Sequence, residues 1–100
     1  TGTGKTAAFG IPIVEKTDVG KGVIQTLVLV PTRELALQVA KEIKDLGKYR
    51  GVRVLAVYGG KPVAKQVELL QKLKPHVVVG TPGRVKDLLE RGILNLNEVS

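Results

Sequence analysis

Cysteine is absent from the 100 residues, which excludes a disulfide framework and any thiolate metal site. The single histidine, His76, cannot build a histidine-based site alone. Aromatic residues are scarce: Phe9, Tyr49 and Tyr58 are the whole complement, too few for a base-stacking platform. No apolar run approaches the roughly 18 residues of a membrane span, and no charged-then-apolar leader precedes the first motif, so a soluble, cytoplasmic protein without a membrane partner is expected. Methionine is missing as well. With Thr1 as the first residue, that predicts a piece of a longer chain.

What is present is a balanced globular composition, 43% hydrophobic and 25% charged, on the scale of one domain or part of one. Sixteen Lys and Arg against nine Asp and Glu leave a net charge of +7, which favours a polyanion such as nucleic acid; a solvated basic surface is the alternative. With so few aromatics, a nucleic-acid contact should favour the backbone over the bases.

The apolar runs IQTLVLV (24–30), VRVLAVY (52–58) and VVVG (77–80) are rich in Val, Ile and Leu and predict strands. Between the first two, Leu35, Ala36, Val39, Ala40, Ile43 and Leu46 recur at helical spacing, and Gly47 stands where the helix should stop. Between the second and third, Val63, Val67, Leu70 and Leu73 do the same and Pro75 closes the pattern. A last short helix buries Val85, Leu88 and Leu89 and ends at Gly92. Strands alternating with helices mean an α/β fold with a parallel sheet. The segment KTAAFGIPIVEK is helical with an expected kink near Pro12. The loop TDVGKG (17–22) is expected to be the most flexible stretch.

Two strands end with the same chemistry, LVLV-PTREL and VVVG-TPGRV. Thr32 and Thr81 are each placed to cap the following helix, the latter with Pro82 at the first helical position. The run YGGK follows the middle strand, and Gly59 and Gly60 allow close backbone approach. In a parallel sheet these turns gather at the carboxyl edge, where free N–H groups and helix dipoles favour anions. Taken singly, each is ordinary turn chemistry; Arg33 and Arg84 could be solvated or paired to Glu34 and Asp87, and His76 reads as a turn residue. The opening TGTGKT supplies, through Gly4, Lys5 and Thr6, the last three positions of the phosphate loop G-x-x-x-x-G-K-[ST].

These motifs together resemble the DEAD-box ATP-dependent RNA helicases, over the whole chain. TGTGKT is similar to the end of motif I of that family, PTRELA (31–36) to motif Ia, Gly59–Gly60 to the GG motif and TPGR (81–84) to motif Ib. The resemblance implies a three-layer, partial RecA-like sheet spanning residues 1–100, with the strand at 77–80 between the other two. Helix 33–48 would lie on one face, and helices 63–74 and 84–91 on the other. It implies ATP and Mg²⁺ as cofactors: Thr1, Gly2, Thr3, Gly4, Lys5 and Thr6 would wrap the nucleotide phosphates. Lys5 would reach the β and γ phosphates as the catalytic cation, and Thr6 would hold the metal. Pro31, Thr32, Arg33, Gly59, Gly60, Thr81, Gly83 and Arg84 would line an RNA backbone path.

The 100 residues do not contain the adenine-reading Q motif, the D-E-A-D and S-A-T motifs, or the second RecA-like domain that brings arginine fingers in this family. Turnover is therefore expected of a parent protein that couples ATP hydrolysis to local RNA unwinding, with that second domain as a partner. The alternative is a non-catalytic RNA- or phosphate-binding module. Another P-loop enzyme, such as a DNA helicase or nucleotide kinase, fits TGTGKT but not PTRELA with TPGR. The outer edge of strand 24–30 is expected to support self-association, and the TGTGKT end to be mobile.

Overall fold

The computed structural model describes the backbone of residues 3–99 and the side chains from Ala8 onward. In chain order the elements are α1 (Thr3–Lys16), β1 (Thr26–Leu29), α2 (Arg33–Gly47), β2 (Val54–Val57), α3 (Val63–Leu73), β3 (Val77–Gly80) and α4 (Pro82–Glu90). A 3-10 turn over Lys48–Arg50 closes α2. Among the described residues the strands form one parallel sheet in the order β1-β3-β2. The last strand in sequence thus lies between the first two.

Alternating side chains of the strands divide the core by sheet face. Val77 and Val79 join Val54 and Val30 against Ile13, Val14, Ala36, Val39 and Ile43, so α1 and α2 cover one face. Val78 and Val57 meet Leu70, Val85, Leu88 and Leu94, so α3 and α4 cover the other. This is the three-layer α/β arrangement expected, and its helices fall on the expected faces. The β3 valines are fully buried, each contributing about 2 kcal/mol of transfer free energy.

The helices are set by where apolar residues recur. In α1 the buried positions are Gly10, Ile13 and Val14, with Thr17 just beyond, one stripe at helical spacing. The helix runs on through Pro12, although proline has no N–H to donate to the Ala8 carbonyl. Thr17 closes it by donating its hydroxyl to the Ile13 carbonyl at 2.7 Å. In α2 the stripe is Ala36, Val39, Ala40, Ile43 and Gly47, whereas Leu46 is 39% exposed.

Strand length follows the ladder rather than the apolar run. The runs at 24–30 and 52–58 shorten to Thr26–Leu29 and Val54–Val57, because each pairs residue for residue with the four of Val77–Gly80. Gly80 closes the central strand where no side chain fits. A Cβ there would stand 2.6 Å from Val85 Cγ2 and 2.7 Å from Val57 Cγ2. The loop at 17–22 is cross-tied from outside itself: Gln25 Oε1 accepts from the Asp18 N–H at 2.8 Å, and Gln25 Nε2 donates to the Asp18 carbonyl at 2.9 Å.

Candidate functional site

The carboxyl edge of the sheet collects three β-to-α turns, Pro31–Arg33 after β1, Gly59–Lys61 after β2 and Thr81–Arg84 around the start of α4. Main-chain bonds knit them to the strand ends: the Val30 N–H donates to the Gly80 carbonyl at 3.0 Å, and the Thr81 N–H to the Val57 carbonyl at 3.1 Å. Pro31, Thr32, Arg33, Gly59, Gly60 and Gly83 are exposed; Thr81 and Arg84 are half-buried. Gly60 holds φ at 84°, a left-handed turn open to glycine at little cost.

Tyr58 is the hub of this edge. Its ring packs toward the α1–α2 face and carries the Arg33 guanidinium 5.3 Å from its centroid. Its backbone is held from the other face by Gln66 of α3, 4% exposed. Gln66 Nε2 donates to the Tyr58 carbonyl at 2.9 Å, and Gln66 Oε1 accepts from the Tyr58 N–H at 3.3 Å. The same oxygen accepts from Arg84 Nη1 at 2.8 Å, while Arg84 Nη2 donates to the Lys61 carbonyl at 2.9 Å. One buried carboxamide therefore joins the end of β2, the turn after it and the first turn of α4.

Thr32 caps α2 as expected, accepting the Leu35 N–H at 3.1 Å. Thr81 does not cap α4: its side chain makes no capping bond, and its N–H is spent extending the β ladder to Val57. Neither arginine takes the acid first considered for it. Asp87 pairs with Arg91 at 2.9 Å, and Arg33 and Arg84 turn to Tyr58 and Gln66. Of the phosphate-loop candidates, Thr1 and Gly2 lie outside the described residues, as does the expectation of a mobile terminus there. For Thr3, Gly4, Lys5 and Thr6 only a helical backbone at the start of α1 is described.

Sequence reasoning missed Gln66, Tyr58 and Lys61. Gln66 had a signal: it stands three residues after Val63 and four before Leu70, a polar residue on an apolar stripe.

The amino edge is organised around His76. His76, fully buried, accepts the Arg53 N–H on Nδ1 at 2.9 Å, and its own N–H donates to the Arg53 carbonyl at 2.9 Å. Its carbonyl accepts from the Gln25 and Thr26 N–H groups at 2.7 and 3.2 Å. It sits, as expected, in the bend that leads into β3, and it ties that bend to both neighbouring strand starts. Nε2 makes no hydrogen bond within the chain. Burial, and secondarily the Arg53 guanidinium, push the His76 pKa below its ordinary value; the Val19 carbonyl and Asp18 oppose this more weakly.

Among the described residues no group of three or more His, Cys, Asp or Glu is placed to hold a metal ion. No described helix is long and apolar enough to cross a membrane.

Compared with known proteins, residues 1–100 match the DEAD/DEAH box helicase family along their whole length. The chain is 56% identical, over 99% of its residues, to the DEAD-box ATP-dependent RNA helicase CshA of Geobacillus kaustophilus, covering 21% of that protein. It is 50% identical to CshA of Bacillus anthracis over 99% of the chain and 19% of the relative. The chain thus spans about a fifth of the length of these curated relatives. Among solved structures, a DEAD box protein from Methanococcus jannaschii superposes with a TM-score of 0.88 at 43% identity, over 97% of this chain and 26% of that one. A variant of S. cerevisiae Dbp5, solved bound to RNA and ADP BeF3, gives a TM-score of 0.82 at 28% identity, over 96% of this chain and 23% of that one.

Proposed function

The chain belongs to the DEAD/DEAH box helicase family, and from that premise we propose that it is the part of an ATP-dependent RNA helicase carrying the phosphate end of the ATP site and part of the RNA-backbone grip. One observation carries the reading. Three turns rich in Gly, Thr and Arg converge on one edge of a parallel sheet and are cross-linked there, so their outward donors keep fixed spacings. Fixed donors and cations without an aromatic platform suit sugar and phosphate better than bases. That the similar Dbp5 variant was solved bound to RNA supports RNA as the ligand.

In this reading Pro31, Thr32, Arg33, Gly59, Gly60, Thr81, Gly83 and Arg84 line the RNA path. Thr81, free of a capping bond, offers its hydroxyl. Arg84, anchored through both terminal nitrogens, serves as a fixed positive charge rather than a swinging arm. Thr1 to Thr6 form the nucleotide loop, with Lys5 on the outer phosphates. Mg²⁺ takes six oxygens and keeps several waters. No acidic cluster lies among the described residues; the Thr6 hydroxyl would meet the metal beside the phosphates themselves and acids from elsewhere in the protein.

Turnover and strand separation belong to the whole protein, with a second RecA-like domain facing this edge, acting in the cytoplasm. The outer edge of β1, where Leu29 is 56% exposed, is the place for further strands of that protein or for self-association with a second copy.

RNA-stimulated ATP hydrolysis by the full-length protein tests the reading. Lys5→Ala should lower turnover by about a hundredfold or more, as loss of a cation on the transferred phosphoryl group does. Undiminished turnover would remove Lys5 from the site. Salt-sensitive RNA binding with no hydrolysis in the unsubstituted protein would leave a non-catalytic binding module.

A further inference from the structure

The residues assigned to the RNA path do not hold themselves in place. Beyond Val57, β2 has lost its ladder partner, because β3 ends at Gly80 and turns into α4. The Tyr58 N–H and carbonyl would then face the domain unpaired, at a cost of about 1–3 kcal/mol per buried group. Gln66 fills that gap. Its carboxamide donates to one group and accepts from the other, as a neighbouring strand residue would. Since Gln66 is buried, it is out of reach of any ligand lying on the edge. Its remaining acceptor capacity is taken by Arg84, whose second terminal nitrogen closes the loop onto the Lys61 carbonyl.

We propose that Gln66 is a positioning residue for RNA binding: it fixes the Gly59–Gly60 turn and the Arg84 guanidinium in one relative geometry, so that both meet the same stretch of backbone. This rests on the RNA reading of the carboxyl edge given above. A hydrophobic side chain of similar size fills the space but neither pairs Tyr58 nor orients Arg84. An arginine released from its acceptor keeps its charge and loses its direction, so affinity falls while non-specific attraction persists.

The test is RNA affinity of the full-length protein, measured with a single-stranded RNA and in parallel with a fluorescent ATP analogue, for Gln66→Leu, Arg84→Ala and the double variant. Gln66→Leu should weaken RNA binding about tenfold, leaving nucleotide affinity within about twofold. In the Arg84→Ala background the same substitution should cost about threefold or less, because the group it orients is gone. Full additivity, or equal loss of RNA and nucleotide affinity, would mean a merely structural role and overturn the proposal. So would unchanged RNA affinity in a folded Gln66→Leu protein.

Thr32→Ala and Gly83→Val separate this from failure of the underlying reading. If they weaken RNA binding and Gln66→Leu does not, only the positioning role is lost. If none of these variants affects RNA, the edge itself is misassigned. Should Gln66→Leu fail to fold, Gln66→Met at lower temperature gives the same comparison with a more adaptable side chain.

Discussion

At its carboxyl end β2 is completed by a buried side chain from α3, and at its amino end by a buried side chain from the bend just before β3. Gln66 accepts the Tyr58 N–H, and His76 accepts the Arg53 N–H. Each end also ties an arginine to main-chain carbonyls: Arg84 bonds Lys61, and Arg53 Nε donates to the carbonyls of Leu73 and Lys74 at 2.8 and 3.1 Å. The surroundings differ. Gln66 stands behind an open edge of glycines and cations, whereas His76 is sealed beneath loops that carry no candidate site residue. The same hydrogen-bonding solution thus stands behind the proposed RNA edge at one end and beneath buried strand starts at the other, and only the second is titratable.

The strongest way to break the comparison is to crowd the sheet between its two ends. Gly80→Val places atoms where Val85 and Val57 already stand, and should cost about 3 kcal/mol in denaturant unfolding, with both edges weakened together. A change under about 1 kcal/mol would show that α4 can move aside.

His76→Leu comes next. It leaves the Arg53 N–H without its acceptor and should cost about 1–2 kcal/mol, while RNA affinity stays within about twofold. It also removes a pH dependence. The folded-state pKa of His76 lies below the unfolded value of 6.5, so below that pH the unfolded chain binds a proton that the native state excludes. Stability is fully present above pH 6.5 and falls as pH drops toward the lowered value. Protonation at Nδ1 would set two N–H groups against each other at Arg53. Melting temperatures from pH 7.5 to 5 should decline in the parent and flatten in His76→Leu; parallel curves would show that His76 is not the sensor.

The smallest effect on stability should come from Arg33→Ala. Loss of the Tyr58 stacking amounts to about 0.5–1 kcal/mol, yet RNA affinity at low salt should drop several-fold. Loss of stability without loss of affinity would place Arg33 with the structural arginine, Arg53.

Much of this was legible in the sequence, for identifiable reasons. Apolar recurrence located α2, α3, α4 and the three strands, the phosphate-loop remnant placed α1, and the repeated Thr-Pro-Arg chemistry pointed to the carboxyl edge. What escaped depended on partners distant in the chain. The strand limits of β1 and β2 follow from the four residues of β3, which no local pattern of theirs encodes. Thr81 makes no capping bond, and its N–H instead reaches Val57, a tertiary contact that no local pattern encodes. Gln66 and His76 become structural only when β2 ends beside them. At Gln66 the polar break in an apolar stripe was a usable signal; at His76 the preceding proline concealed one.

The strand order also governs when this unit can assemble. Among the described residues β1 and β2 do not pair with each other, and each finds its ladder partner in β3, some fifty and twenty residues further along. On a ribosome, the α1–α2 pair can begin to pack as it emerges, but no rung of this sheet forms until Val77–Gly80 is clear of the exit tunnel. Until then two apolar strands wait with open edges, the interval in which aggregation or chaperone capture would compete with folding.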